Sequence, residues 1–268
     1  MSAKDPVLEV RGLTVRYGGV TAVDDVCLTI PEHSVVGLIG PNGAGKTTLV
    51  DALSGYARYT GRVLFRGVPV DSFKPHQRAR LGIARTFQSG GNFDDLTVGE
   101  NILIGERRGS GWVATLGSIL SGRPGRTLDG TTRVISALGL QDLLGRDASG
   151  LSAGQLKLVS IARALASTPD LVILDEPAAG LDSTESQWLG TRLGQVRDSG
   201  ATILLVDHDM DLIQGLCDQI YVLNFGQVIA NGTSDEVMSH PTVVEAYLGS
   251  SDDGTEISGP SGGMGASA

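Results

Sequence analysis

The sequence predicts an α/β fold, and three observations carry that reading. Three short apolar runs, "SVVGLIG", "LVILDEP" and "ATILLVDHD", have the length and β-branched content of strands buried on both faces of a parallel sheet. Each is followed by a segment with the apolar spacing of a helix. The first run ends in a glycine-rich loop, "GPNGAGKTT" at residues 40–48, placed between strand and helix.

Ahead of that loop, "VLEVRGLTVRY" and "AVDDVCLTI" alternate or cluster β-branched residues as strands do, and "TGRVLFRGVPV" adds a further strand pair. These predict an N-terminal antiparallel β subdomain on a core with a mixed or parallel sheet. Between residues 90 and 165 the strand signal fades and helical patterns take over, so an inserted helical subdomain is expected there. Inside it, "RRGSGWVATLGSILSGRPGR" is rich in glycine and serine, yet Trp112, Leu116, Ile119 and Leu120 fall on one helical face. A short helix packed on its own subdomain, a mobile loop and a partner-binding helix all fit that stretch. The folded domain is expected over residues 5–250, followed by a Gly/Ser-rich tail, 251–268, with too little apolar content to fold. The glycine loop occurs once, so one chain supplies one such unit.

A chain of 268 residues with 41% hydrophobic content fits one large domain with a subdomain. Thirty acidic residues against 21 basic ones give a formal charge of -9, which argues against a broad nucleic-acid or anionic-lipid face. Cys27 and Cys217 are far apart and lack CxxC partners; both are expected in the core, with no disulfide framework or zinc site. The N-terminus shows no signal-peptide pattern and no apolar run approaches a membrane span. The reading is cytosolic, so any membrane it serves must be crossed by other subunits.

Gly40, Gly45, Lys46 and Thr47 fit G-x-x-x-x-G-K-[ST] in strand–loop–helix context, which makes the core that of a P-loop NTPase. Backbone N–H groups of Gly43, Ala44, Gly45, Lys46, Thr47 and Thr48, with Asn42 beside them, are expected to wrap the phosphates of a nucleotide. The Lys46 ammonium would bridge the β and γ oxygens, and Thr47 would hold Mg²⁺. Asp175 and Glu176 end a buried strand, where adjacent carboxylates repel unless a cation or a reacting proton lies between them. Asp175 suits the Mg²⁺ shell, leaving Glu176 to polarise the attacking water as general base; a helix-capping acidic pair is the plainer alternative. His208 follows another apolar strand, at the sheet edge where parallel sheets bind ligands, and is assigned a γ-phosphate contact.

Residues 150–165, "GLSAGQLKLVSIARAL", resemble a second anion site, at a helix N-terminus. Ser152 can cap the helix, Gly154 lets the backbone come close, and Gln155 completes the loop. Taken in order, Tyr17, "GPNGAGKTT", Gln88 in "RTFQ", "LSAGQ", "LVILDEP", "GLD" and His208 resemble the nucleotide-binding subunit of an ABC transporter over residues 7–249. The resemblance implies that Tyr17 stacks on adenine. It implies that Gln88 touches Mg²⁺ and the attacking water and links the site to the membrane subunits. Asp182 would span a dimer interface, with a helix N-cap as its alternative. It also accounts for the second cradle: in that family "LSGGQ" meets the γ-phosphate held by the facing subunit, so two chains close head to tail on two ATP molecules. Ala153 departs from that pattern by adding a methyl group near the partner's nucleotide.

Further stretches, "RYGGVTAVDDV", "RTFQ", "DEPAAGLD", "DHDMDLI", "IYVLNFGQVIANGTSDEV" and "HPTVVEAYLG", resemble the ATPases of branched-chain amino-acid importers and their urea or short-amide relatives. The partners implied are a second ATP-binding subunit, identical or different, two membrane permease subunits with Phe93 in the docking groove, and, indirectly, a substrate-binding protein. A lipopolysaccharide-export ATPase shares the fold but not "RTFQ" and "HDMDLI". A soluble ABC ATPase acting on DNA or ribosomes would show a coiled-coil insertion, two cassettes or a basic face. A binder that does not hydrolyse has no use for Glu176 and His208.

Overall fold

A computed structural model of the chain describes residues 6–86, 92–106 and 129–248. The expectations for Gln88, for the apolar face from Trp112 to Leu120 and for the C-terminal tail lie outside these residues.

Strands β1 (Pro6–Tyr17), β2 (Val20–Pro31), β4 (Thr60–Phe65) and β5 (Val68–Pro69) form an antiparallel sheet in the order β2-β1-β4-β5. The second sheet runs β10-β9-β3-β8-β7-β6, from β3 (Val35–Ile39), β6 (Ile83–Arg85), β7 (Leu171–Asp175), β8 (Ile203–Val206), β9 (Gln219–Asn224) and β10 (Gln227–Gly232). Its pairs are parallel except for the terminal β9–β10 hairpin, so the sheet is mixed. Helix α1 (Lys46–Ser54) follows β3, and α2 (Pro75–Leu81) precedes β6. Between β6 and β7 come α3 (Val98–Ile104), α4 (Asp129–Leu138) and α5 (Ala153–Ala166). Helices α6 (Ser183–Asp198) and α7 (Met210–Leu216) flank β8, and α8 (Ser234–Met238) and α9 (Pro241–Leu248) close the described chain. No helix among the described residues is long and apolar enough to cross a membrane.

The central strands read as unbroken apolar runs because side chains alternate between two buried cores. Val35 and Ile39 of β3, Val172 and Leu174 of β7, and Ile203 and Leu205 of β8 face a core shared with helices α3 to α7. Their neighbours Val36, Leu38, Leu171, Ile173, Leu204 and Val206 face the antiparallel sheet and α1. Each such side chain contributes roughly 1.5–3 kcal/mol of apolar transfer, so a charge at any of these positions is excluded. What the central strands can carry of chemistry is therefore confined to their ends.

Cys27 corrects one expectation: it is exposed. The same alternation explains it, since Val26 and Leu28 point into the core and Cys27 between them turns to solvent on β2, an edge strand. Cys217 is partly buried, and burial pushes its thiol up to about 12, which leaves it unreactive.

Candidate functional site

Strands β3, β8 and β7 are adjacent and parallel, with Leu38 opposite Val206 and Asp175 opposite Val206. Their C-terminal ends therefore share one edge, and the loops leaving it carry Gly40 to Lys46, Asp175 with Glu176, and Asp207 with His208.

The glycine loop turns on residues that only glycine suits. Gly40 has φ +150°, and a Cβ there would lie 2.0 Å from the Leu223 carbonyl oxygen. Gly45 has φ +102°, and its Cβ would meet the Ala22 carbonyl oxygen at 2.4 Å. Helix α1 starts immediately after Gly45, and the first helical bond runs from Leu49 N–H to the Gly45 carbonyl at 2.9 Å. The amides of Lys46, Thr47 and Thr48 thus point out of a helix N-terminus, as an anion site requires. Asn42, Gly43 and Ala44 line a cleft of about 550 Å³ with Asn224, Phe225 and residues of α9. Tyr17, at the end of β1, is 54% exposed.

Lys46 is 8% exposed, and its ammonium donates to the carbonyls of Gly40 at 2.6 Å and Pro41 at 3.0 Å. Burial pulls its pKa below the ordinary value, while the charges of Glu176, Asp175 and Asp207 push it back up. The lysine is thus held within the field of the carboxylates from β7 and β8.

Asp175 is buried, and its main-chain N–H donates to the Thr86 hydroxyl at 3.2 Å. Its Oδ2 accepts from Arg85 at 2.9 Å, whereas Oδ1 is buried with no hydrogen-bond partner among the described residues. Desolvation pushes this carboxyl above its usual range, and the Arg85 guanidinium opposes that push. Oδ1 is therefore an acceptor with room for a further partner, and a cation fits it. Thr47 supplies a second hard oxygen from the first turn of α1, and Mg²⁺ takes one or two such donors together with substrate phosphates. Among the described residues no group of three or more His, Cys, Asp and Glu side chains forms a metal cage. These residues fit a cation shared with a nucleotide rather than one held by protein alone.

Glu176 sits in the left-handed region at φ +48°, held by its N–H to the Val206 carbonyl at 2.7 Å and by the Lys157 ammonium on its own carbonyl at 3.3 Å. His208 is 66% exposed at its side chain, with Nδ1 3.5 Å from Asp207 Oδ1. Asp207 is wholly buried and accepts the N–H groups of Ala178, His208 and Asp209 at 2.9, 2.8 and 3.1 Å. One carboxylate thus fixes the loops after β7 and β8 against each other.

The segment expected to form a second cradle lies at the head of α5. Ser152 accepts the Gln155 N–H at 3.3 Å, and the Gln155 side chain accepts the Ser152 N–H at 3.0 Å. Ser152 and Ala153 are exposed while Gly154 is buried beside Glu185, so the Ala153 methyl meets solvent. Asp182 caps α6 by accepting the Glu185 N–H at 2.8 Å and is itself exposed, which satisfies the capping reading and leaves the interface reading open. Phe93 is 49% exposed, with the Arg163 guanidinium 5.8 Å from its ring centroid.

Three residues of this site escape motif reading. Arg85 and Asp207 were visible only as letters in "RTFQ" and "DHD". Asn101, fully buried in α3, exchanges hydrogen bonds with the main chain of Phe93 in both directions; a lone amide in the apolar run "NILI" was its signal.

The ABC transporter family model matches residues 23–179, and that of the branched-chain amino acid ATP-binding cassette transporter matches residues 227–253. The chain is 39% identical over 250 residues to the high-affinity branched-chain amino acid transport ATP-binding protein LivG of Escherichia coli K12, covering 91% of this chain and 98% of that one. It is 36% identical to BraF of Pseudomonas aeruginosa, of the same description, with the same coverage of 91% and 98%. Among solved structures, an ATP-binding cassette of an ABC transporter in its ADP conformation superposes with a TM-score of 0.79 at 31% identity, covering 92% of this chain and 100% of that one.

Proposed function

The chain belongs to the ABC transporter ATP-binding family, in its branched-chain amino acid branch, and from that premise we propose that it is the ATP-hydrolysing subunit of an importer for branched-chain amino acids. The observation that carries the chemistry is the shared sheet edge, where Lys46 stands in the field of Asp175, Glu176 and Asp207.

On this reading the α1 amides and Lys46 bind the ATP phosphates, the ammonium exchanging its two carbonyl acceptors for β and γ oxygens. Tyr17 packs on the adenine. Thr47, Asp175 Oδ1 and Gln88 would hold Mg²⁺, which supplies charge neutralisation on the phosphate oxygens. Glu176 accepts the proton of the attacking water, and His208 donates a hydrogen bond to the γ-phosphate. Ser152, Gly154 and Gln155 serve the nucleotide of a facing ATP-binding subunit, with Asp182 at the same interface. Two permease subunits, fed by a substrate-binding protein, dock beside Gln88 and Phe93 at the cytoplasmic side of the membrane. Closure on ATP moves them, since ATP favours the closed state only through contacts made there.

Uptake of labelled leucine, isoleucine and valine tests the proposal. Deleting the gene is expected to lower it, with restoration by the wild-type copy and none by Lys46→Ala. Loss of urea or amide uptake instead would move the solute to a sister branch. Normal uptake of all of these, with ATPase activity stimulated by DNA or ribosomes rather than permease in lipid, would overturn the transport role.

A further inference from the structure

We propose that Arg85 is a positioning residue for the metal-binding carboxylate: its guanidinium grips Asp175 Oδ2 and Asp51 Oδ1 together, leaving Asp175 Oδ1 as the one oxygen free for the cation. The inference rests on the reading of Asp175 as a Mg²⁺ ligand.

The geometry is closely defined. β6 lies parallel to β7 with Arg85 opposite Ile173, two residues before Asp175. From there Nη1 reaches Asp51 at 2.6 Å and Nη2 reaches Asp175 at 2.9 Å, through a side chain only 9% exposed. The next residue, Thr86, holds the main chain of Asp175 through its hydroxyl. The last residue of β6 and the one directly after it therefore fix Asp175 at its side chain and at its main chain.

An aspartate carboxylate turns readily about its last torsion, so its two oxygens exchange places unless one is held. A planar guanidinium holds direction as well as charge, which an ammonium does not. The grip also crosses elements. Asp51 belongs to α1, the helix that begins at the phosphate loop, so the carboxylate end of the site and the phosphate end are joined through one side chain. A salt bridge serving stability alone would leave no reason for Oδ1 to stay buried without a protein partner.

The test compares the full chain with Arg85→Gln, Arg85→Lys, Asp51→Asn and Asp175→Asn. Affinity for a fluorescent ATP analogue is measured in EDTA and then across a Mg²⁺ titration, with melting curves recorded for each variant. Arg85→Gln is expected to bind the analogue in EDTA as the wild type does, while its half-maximal Mg²⁺ concentration rises about tenfold to a hundredfold, the usual cost of losing an outer-shell partner. Arg85→Lys and Asp51→Asn should fall between, because each keeps part of the grip. An unchanged Mg²⁺ midpoint in a folded Arg85→Gln, with Asp175→Asn strongly shifted, overturns the inference and leaves the metal ligand standing. An unchanged midpoint in Asp175→Asn overturns both. If Arg85→Gln does not fold, Arg85→Lys decides: a wild-type midpoint there refutes the need for the fork.

Discussion

Glu176 shows what a single residue can and cannot announce. An adjacent Asp175–Glu176 pair closing an apolar strand is legible, because two carboxylates side by side at the end of a buried strand are unfavourable without a cation or proton to share. The left-handed backbone at Glu176 is not legible, since glutamate has no preference for it; the conformation costs about 1–3 kcal/mol and persists only where neighbours impose it. Here the Val206 carbonyl and Lys157 impose it, and both come from remote elements. The Arg85 grip was hidden for the same reason, as it depends on β6 pairing with a strand far along the chain. Glu176→Gln keeps shape and backbone while removing the carboxylate proposed as the base. ATP binding should persist and turnover should drop about a hundredfold or more, the scale of general-base catalysis. Single-turnover hydrolysis measured beside equilibrium binding checks this; turnover within a few-fold of wild type would remove Glu176 from that role.

At the scale of elements, the strands of the central sheet were readable because burial on two faces demands apolar residues at every position. Helix α2 was not, being seven residues long with Arg78 and Arg80 in its last turn, a composition that reads as surface. Arg78 is in fact 1% exposed. Its Nη1 donates to the carbonyls of Ala52 and Leu53, both at 2.8 Å, and its Nε to that of Phe73 at 3.2 Å. It thereby closes the C-terminal end of α1, where a cation also opposes the negative pole of the helix. The phosphate loop is thus braced from behind its helix. Arg78→Met retains much of the volume but takes this donor from the carbonyls of Leu53 and Phe73 and leaves that of Ala52 only the Gly55 N–H at 3.1 Å, at about 1–3 kcal/mol for each carbonyl left unsatisfied. Urea unfolding should show a loss of about 2–5 kcal/mol; a change under about 1 kcal/mol would mean that other donors satisfy these carbonyls.

For the whole molecule, the proposal sets the phosphate loop and the capped head of α5 to work on nucleotides of different chains. The loop at Gly40–Lys46 opens on the C-terminal edge of the sheet, whereas the head of α5 presents Ser152 and Ala153 to solvent. A helix N-terminus with its cap and small residues is a local feature, so both segments were legible as such; a nucleotide at the second depends on a neighbouring molecule and leaves no local mark. If the sites are shared head to tail, damage to the two cradles is separable by chain. Lys46→Ala removes the phosphate clamp of one site, and Ser152→Arg removes the cap and places a bulky side chain at the other. Each variant paired with itself has two damaged sites. A dimer of one with the other has one site carrying both lesions and one carrying neither, so mixing two inactive proteins should restore ATPase activity in proportion to the mixed dimer formed. Where this chain pairs only with a different ATP-binding subunit, the variants are distributed between the two partners and the same arithmetic holds. Mixed dimers that form, as seen by pull-down of differently tagged chains, yet hydrolyse no faster than either parent would show that Ser152 and Lys46 do not act on one nucleotide from opposite chains.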